Sequence, residues 1–166
     1  MAGVLASCLL GAAVGFAAEP VRRESIAVVV GSSSGIANVT VDELRELYLR
    51  RQRIWQTGEA AVPVDLVKEH PARNAFSQRV LGRAPEDLQT YWSRRRFDGV
   101  RPPIALETSH AVCAYVASDA SAIGYLPLSD VDATVCRVLL VLSDEADHAS
   151  LPIPSAPVGT KTNGTS

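Results

Sequence analysis

Three consecutive serines between two glycines, Gly31-Ser32-Ser33-Ser34-Gly35, follow an apolar run at residues 26–30. Glycines let such a loop turn backbone N–H groups toward one point, a nest that favours anions. The hydroxyls of Ser32, Ser33 and Ser34 add donors. The loop is not a P-loop, because it lacks the Lys-Ser/Thr ending and a tight junction to a helix; a plain solvated loop is the alternative. A second group, Lys68-Glu-His70-Pro-Ala-Arg73, stands where a helix begins. Free N–H groups and the helix dipole attract anions there, Arg73 can offer a bidentate fork, and His70 a pH-sensitive donor. An ordinary charged helix start is the bland alternative. No Gly-x-Ser-x-Gly elbow surrounds a serine, and His70, His110 and His148 lie far apart in the chain, which argues against a hydrolytic triad. Neither CxxC nor paired-histidine spacing marks a metal site. The expectation is a binding protein with no cofactor and no metal, not an enzyme.

The elements that must position these residues alternate between strand and helix. Ile26-Ala-Val-Val-Val30 is a continuous β-branched run, as in a strand buried on both faces. Thr40 followed by Glu43 forms a capping box for a helix reaching about residue 50, with Leu44, Leu47 and Tyr48 on one face. Val62-Pro-Val-Asp-Leu66 reads as a short strand that Pro63 limits to an end or an edge. Pro71 and Pro85 each open a helix; the first carries Phe76, Val80 and Leu81 inward and stops at Gly82, and the second carries Leu88, Tyr91 and Trp92. That second helix ends in Arg94-Arg95-Arg96, which either docks an acidic partner or forms a solvated helix end. Pro102-Pro103 break the chain, Thr108 caps another helix to about residue 118, and strands follow near residues 122–126 and 135–142. This order argues for an α/β domain with a mainly parallel sheet and flanking helices.

Composition sets the surroundings. Hydrophobic residues make up 47%, enough for a core, and the net charge is −2. Nucleic-acid binding would need a basic balance with interleaved aromatics, so no nucleic-acid partner is expected. Residues 4–16 form an apolar run too short to span a bilayer, with small residues up to Ala18, as in a secretory signal peptide. No Lys or Arg precedes it. Leu5-Ala-Ser-Cys8 has the composition of a lipoprotein box but sits at the front of that run. The expected organisation is a signal peptide over 1–18, the α/β domain over 19–142 and a polar, proline-rich, disordered tail over 143–166. Export permits a disulfide. Cys113 and Cys136 both stand in apolar contexts, so a bridge and two buried free thiols remain alternatives.

The ordered set of motifs resembles phosphate-type periplasmic solute-binding proteins. The strand at 26–30, the Ser-rich loop, Val41-Asp-Glu-Leu44-Arg-Glu-Leu-Tyr48-Leu and Trp55 are similar to one stretch of that family. So are Val62-Pro-Val-Asp65 before Pro71-Ala-Arg73-Asn-Ala-Phe76, Tyr91-Trp92-Ser93, and Ala122-Ile-Gly-Tyr125. The likeness covers about residues 26–141. It implies one lobe of a type II periplasmic binding fold, a small anionic solute such as phosphate, and a membrane transporter or other protein partner for uptake or sensing. Where the family places Gly-Ser-Gly-Thr before its arginine, this chain has Glu69-His70-Pro71-Ala72, and only Arg73 matches. The implied site joins Ser32, Ser33, Ser34, His70 and Arg73 across one rim of the sheet, in the periplasm or outside the cell. The alternative is a protein-interaction domain that kept the fold and lost the pocket.

Overall fold

The computed structural model describes residues 24–143. The expected signal peptide, Cys8, His148 and all of the tail beyond Ser143 lie outside the described residues. Five strands form one sheet: β1 (Ile26–Gly31), β2 (Val62–Leu66), β3 (Ile104–Leu106), β4 (Ala122–Pro127) and β5 (Cys136–Leu142), in the order β3-β2-β4-β1-β5. β2 pairs in parallel with β3 and with β4, whereas β1 pairs antiparallel with both β4 and β5. Four strands thus point one way and β1 runs against them, so the α/β expectation holds with a mixed sheet.

β1 reads as a core strand, and all six of its residues are buried. Pro63 sits at the start of β2 against Ile123 of β4, and β3 begins to pair only at Val64. The missing N–H therefore falls at a strand end, although β2 is interior. β3 is a strand the sequence did not announce: three residues directly after Pro102-Pro103 are too few to display a period.

Helix α1 (Val41–Tyr48) begins with the expected box. Glu43 N donates to Thr40 Oγ1 at 3.2 Å, and Thr40 N donates to Glu43 Oε2 at 3.0 Å. Helix α2 (Pro71–Phe76) runs into one wide π-type turn, Ser77–Leu81, and stops at Gly82, whose φ of 60° is the left-handed cap. α3 (Pro85–Phe97) buries Leu88 and Trp92, and the Tyr91 hydroxyl donates to Leu49 O at 2.7 Å. α4 (Ser109–Ser118) is capped by Thr108, whose Oγ1 accepts from Ala111 N at 3.1 Å.

Alternation along β4 divides the layers. Gly124 faces α4, and the adjacent Tyr125 faces α1 and α2, where its ring stacks on Phe76 at 3.7 Å with Tyr48 at 5.8 Å. α4 can lie this close to the sheet because two strand positions lack a side chain. A Cβ on Gly124 would stand 2.5 Å from Val112 Cγ1, and one on Gly31 would stand 2.3 Å from the backbone oxygen of Val116.

This contact gives a paired prediction. Gly124→Ala should lower stability by about 1–3 kcal/mol through overpacking, and Val112→Ala in the same chain should recover part of that loss. Urea unfolding of the two single variants and the double variant measures the coupling; strictly additive costs would mean that the two positions do not meet.

Candidate functional site

The antiparallel course of β1 decides where the sequence-selected residues lie. The Ser32–Ser34 turn follows the carboxyl end of β1, which is level with the amino ends of β2 and β4. His70 and Arg73 follow the carboxyl end of β2. Through the pairings Val28↔Tyr125 and Val29↔Gly124, Leu66 lies level with about Ala27, five positions from Ser32, or roughly 16 Å along the sheet. The expected single rim holding both groups is therefore not formed. The cause is strand direction: the serine loop belongs to the one strand that runs against the other four.

At its own rim the serine loop is occupied with holding the chain. Ser34 is buried, and its hydroxyl donates to Ala120 O at 2.6 Å and accepts from Ile36 N at 3.4 Å. Arg137 Nη2 donates to Ser34 O at 3.0 Å and to Ile36 O at 2.6 Å. Ser32 N donates to Val135 O and Ser34 N to Gly31 O, each at 3.0 Å. Ser32 and Ser33 remain exposed.

Arg73 belongs to a buried polar network that the sequence reading missed. Its Nη1 lies 2.9 Å from Asp65 Oδ2 and donates to Leu66 O at 2.5 Å, with the two side chains 13% and 9% exposed. Asp65 Oδ1 also accepts from the Tyr125 hydroxyl and from Leu66 N. The Tyr48 hydroxyl beside them donates to Val64 O at 2.8 Å. Burial pushes the Asp65 carboxyl above the usual aspartate range, while the Arg73 charge, the Tyr125 hydroxyl and the Leu66 N–H pull it back down. Burial first, then the Asp65 charge, raises both Tyr48 and Tyr125, keeping the phenols protonated as donors. A signal was present in the sequence: an acid inside an apolar strand, eight residues before an arginine at a helix start. A strand covered on both faces admits an acid only when it is paired.

Two clefts open near the carboxyl ends of β2, β3 and β4, the usual ligand position in open α/β sheets. One, of about 620 Å³, is lined by Lys68, Arg73, Asn74, Gln89 and Trp92, with Glu69 and Glu86 also at its wall. Arg73 Nε is buried and has no hydrogen-bond partner among the described residues. The other cleft, of about 430 Å³, is lined by His70, Glu107, Ser109, His110, Asp130 and Asp132, with Cys113 also in its wall. Three carboxylates make it a poor host for a bare anion. His70 and Arg73 thus line different clefts, and His70 Nδ1 accepts from Ala72 N at 3.3 Å as the cap of α2. Cys113 and Cys136 are buried free thiols, so the bridge left open by the sequence is not formed in this structure. Among the described residues no group of His, Cys, Asp and Glu is placed to hold a metal ion, and no helix is long and apolar enough to cross a membrane.

No family model and no curated protein matches the chain. Solved structures do. An ABC-type phosphate transport receptor from Vibrio cholerae aligns with a TM-score of 0.54 at 16% identity, over 70% of this chain and 45% of that one. A protein assigned to the phosphate ABC transporter substrate-binding class, with phosphate bound, from Clostridium perfringens aligns at 0.55 and 21% identity, over 69% and 45%. A possible phosphate-binding protein from Planctomyces limnophilus aligns at 0.53 and 12% identity, over 71% and 42%. The chain has the fold of part of these proteins and spans less than half the length of each.

Removing Arg73 should be costly for the fold itself. Arg73→Ala strands the buried Asp65 carboxylate, an effect of about 3–5 kcal/mol, measurable by urea unfolding at pH 7. The loss should shrink toward pH 4, because Asp65 can then take a proton. In the intact chain the raised Asp65 value makes its contribution fullest below the ordinary aspartate value of about 3.9 and erodes it as the pH climbs through the folded value. The double variant Asp65→Asn, Arg73→Gln should lack that component; an unchanged pH profile would show that Asp65 does not titrate as placed.

Proposed function

We propose that this chain is an exported solute-binding protein of single-lobe size, not an enzyme, and that it takes phosphate or another small oxyanion for ABC-type uptake or sensing. The anion sits in the cleft lined by Lys68, Arg73, Asn74 and Gln89. The observation that carries this reading is the cleft wall, where Arg73, its Nη1 held by Asp65 and Leu66 O, stands with Lys68, Asn74 and Gln89. A guanidinium fixed in this way is a preorganised donor, so little ordering cost falls on binding. Lys68 and Asn74, both exposed, bring further donors at the entry of α2. Because Asp65 offsets the Arg73 charge and Glu69 and Glu86 stand nearby, a singly charged, protonated oxyanion suits the cleft better than a dianion. The fold shared with the phosphate receptors supports this class of ligand, and the apolar run at residues 4–16 supports export to the periplasm or beyond.

A second reading has its own observation. Phe97 is 93% exposed at the end of α3, beside exposed Arg94, Arg96 and Arg101. An aromatic flanked by arginines is the composition of a protein contact, as in a domain that kept this fold for docking an acidic partner such as a transporter subunit.

Thermal unfolding with phosphate at about a hundred times its Kd should gain about 2.7 kcal/mol, seen as a rise of several degrees in Tm, larger at pH 6 than at pH 8. Trp92 emission should change with it. Lys68→Ala with Asn74→Ala should abolish the shift and leave the ligand-free Tm in place. No shift across millimolar phosphate, sulfate, arsenate and carboxylates would overturn the solute reading. The docking reading stands instead if a partner held by the chain is released by Phe97→Ser or Arg96→Glu. It fails if the chain binds solute and captures no partner.

A further inference from the structure

We infer that Cys113 and Cys136 are a disulfide-forming pair whose closure ties α4 to β5 beneath the smaller cleft. The two thiols come from different elements, the middle of α4 and the first residue of β5, and each is 3% exposed. The Cys136 thiol points at α4, with Sγ 3.7 Å from Cys113 O, which brings it against the residue it would bridge. The same place is fixed from below, since Gly31 pairs with Cys136 and lies against Val116 of α4. Cys113 has a route to solvent that its burial would otherwise deny, because it forms part of the wall of the cleft containing His110 and Asp132. This inference is independent of the solute reading, which concerns the other cleft.

The chemistry needs an oxidant, here a low-molecular-weight disulfide. The Cys113 thiolate attacks one of its sulfurs, expelling the first thiol and leaving a mixed disulfide. The Cys136 thiolate then attacks Cys113 Sγ and expels the second thiol. Two protein thiols are oxidised to one disulfide, one external disulfide is reduced to two thiols, and the two protons lost by the cysteines end on those products. The second step is the slow one: burial and the neighbouring Cys113 thiol push the Cys136 thiol up to about 12, so closure should accelerate as the pH rises toward 9. Once formed, the bridge closes the chain segment 113–136, which contains β4, and restricts the unfolded state.

The sequence makes the test clean. Trypsin, which does not cleave the Arg101-Pro102 bond, leaves both cysteines in the single fragment 97–137 and Cys8 in another. The purified full chain is incubated with millimolar oxidised glutathione at pH 8.5, then unfolded, alkylated with iodoacetamide and digested. The expected fragment is 2 Da lighter than the reduced one and carries no alkyl group, and dithiothreitol restores two alkylation sites. The oxidised chain should melt roughly 10 °C higher than the reduced chain. Cys136→Ser should stop at a glutathione adduct on Cys113. Two free thiols in fragment 97–137 after prolonged oxidation would overturn the inference. So would a glutathione adduct persisting on Cys113 in the unsubstituted chain. Because wild type before and after oxidation carries the decision, poor folding of a serine variant leaves the test intact.

Discussion

The buried charge pair between Asp65 and Arg73 constrains the rest of the molecule. An aspartate in the middle of a sheet covered on both faces is tolerated only with its charge compensated, and the compensation comes from the first turns of α2. That single contact fixes α2 against β2, sets Tyr125 of β4 as a donor to the same carboxylate, and brings Phe76 onto the Tyr125 ring. The aromatic cluster of Tyr48, Phe76 and Tyr125 is therefore the apolar continuation of a polar junction. It joins α1, α2 and two strands around one point.

The same junction determines what Arg73 has left to offer. A free arginine at a helix start would be a mobile cation; this one is held by two acceptors on Nη1, with its charge largely answered. Its value for an anion lies in position rather than net charge, beside exposed neighbours such as Lys68 and Asn74. The serine loop shows the opposite economy. Its glycines and hydroxyls have the composition of an anion nest, yet Ser34 and the Arg137 contacts spend that capacity on joining β1 to the start of β4 and to β5.

On the other face, two glycines let α4 approach the sheet so closely that its side chains reach the edge strand. The proximity of Cys113 and Cys136 follows from this packing. A longer residue at position 31 or 124 would push the helix away and separate the thiols. One structural feature, the absence of a Cβ at two strand positions, thus controls both the packing of this layer and any redox link within it.

The local chemistry of the sequence determined the elements themselves. The β-branched run of β1, the Thr40–Glu43 box, the prolines opening α2 and α3, the Gly82 stop and the Thr108 cap each act over a few residues, so each was legible without tertiary information. β3 was not, since three residues after a proline pair carry no period. Nor was strand direction: side-chain alternation is the same whichever way a strand runs, and only its hydrogen-bonded neighbours decide it. That reversal of β1 places Ser32, Ser33 and Ser34 at one end of the sheet and Arg73 at the other. Residue types could nominate both groups for anion chemistry, but whether they share a site depends on contacts between segments far apart in the chain, which only the folded sheet fixes.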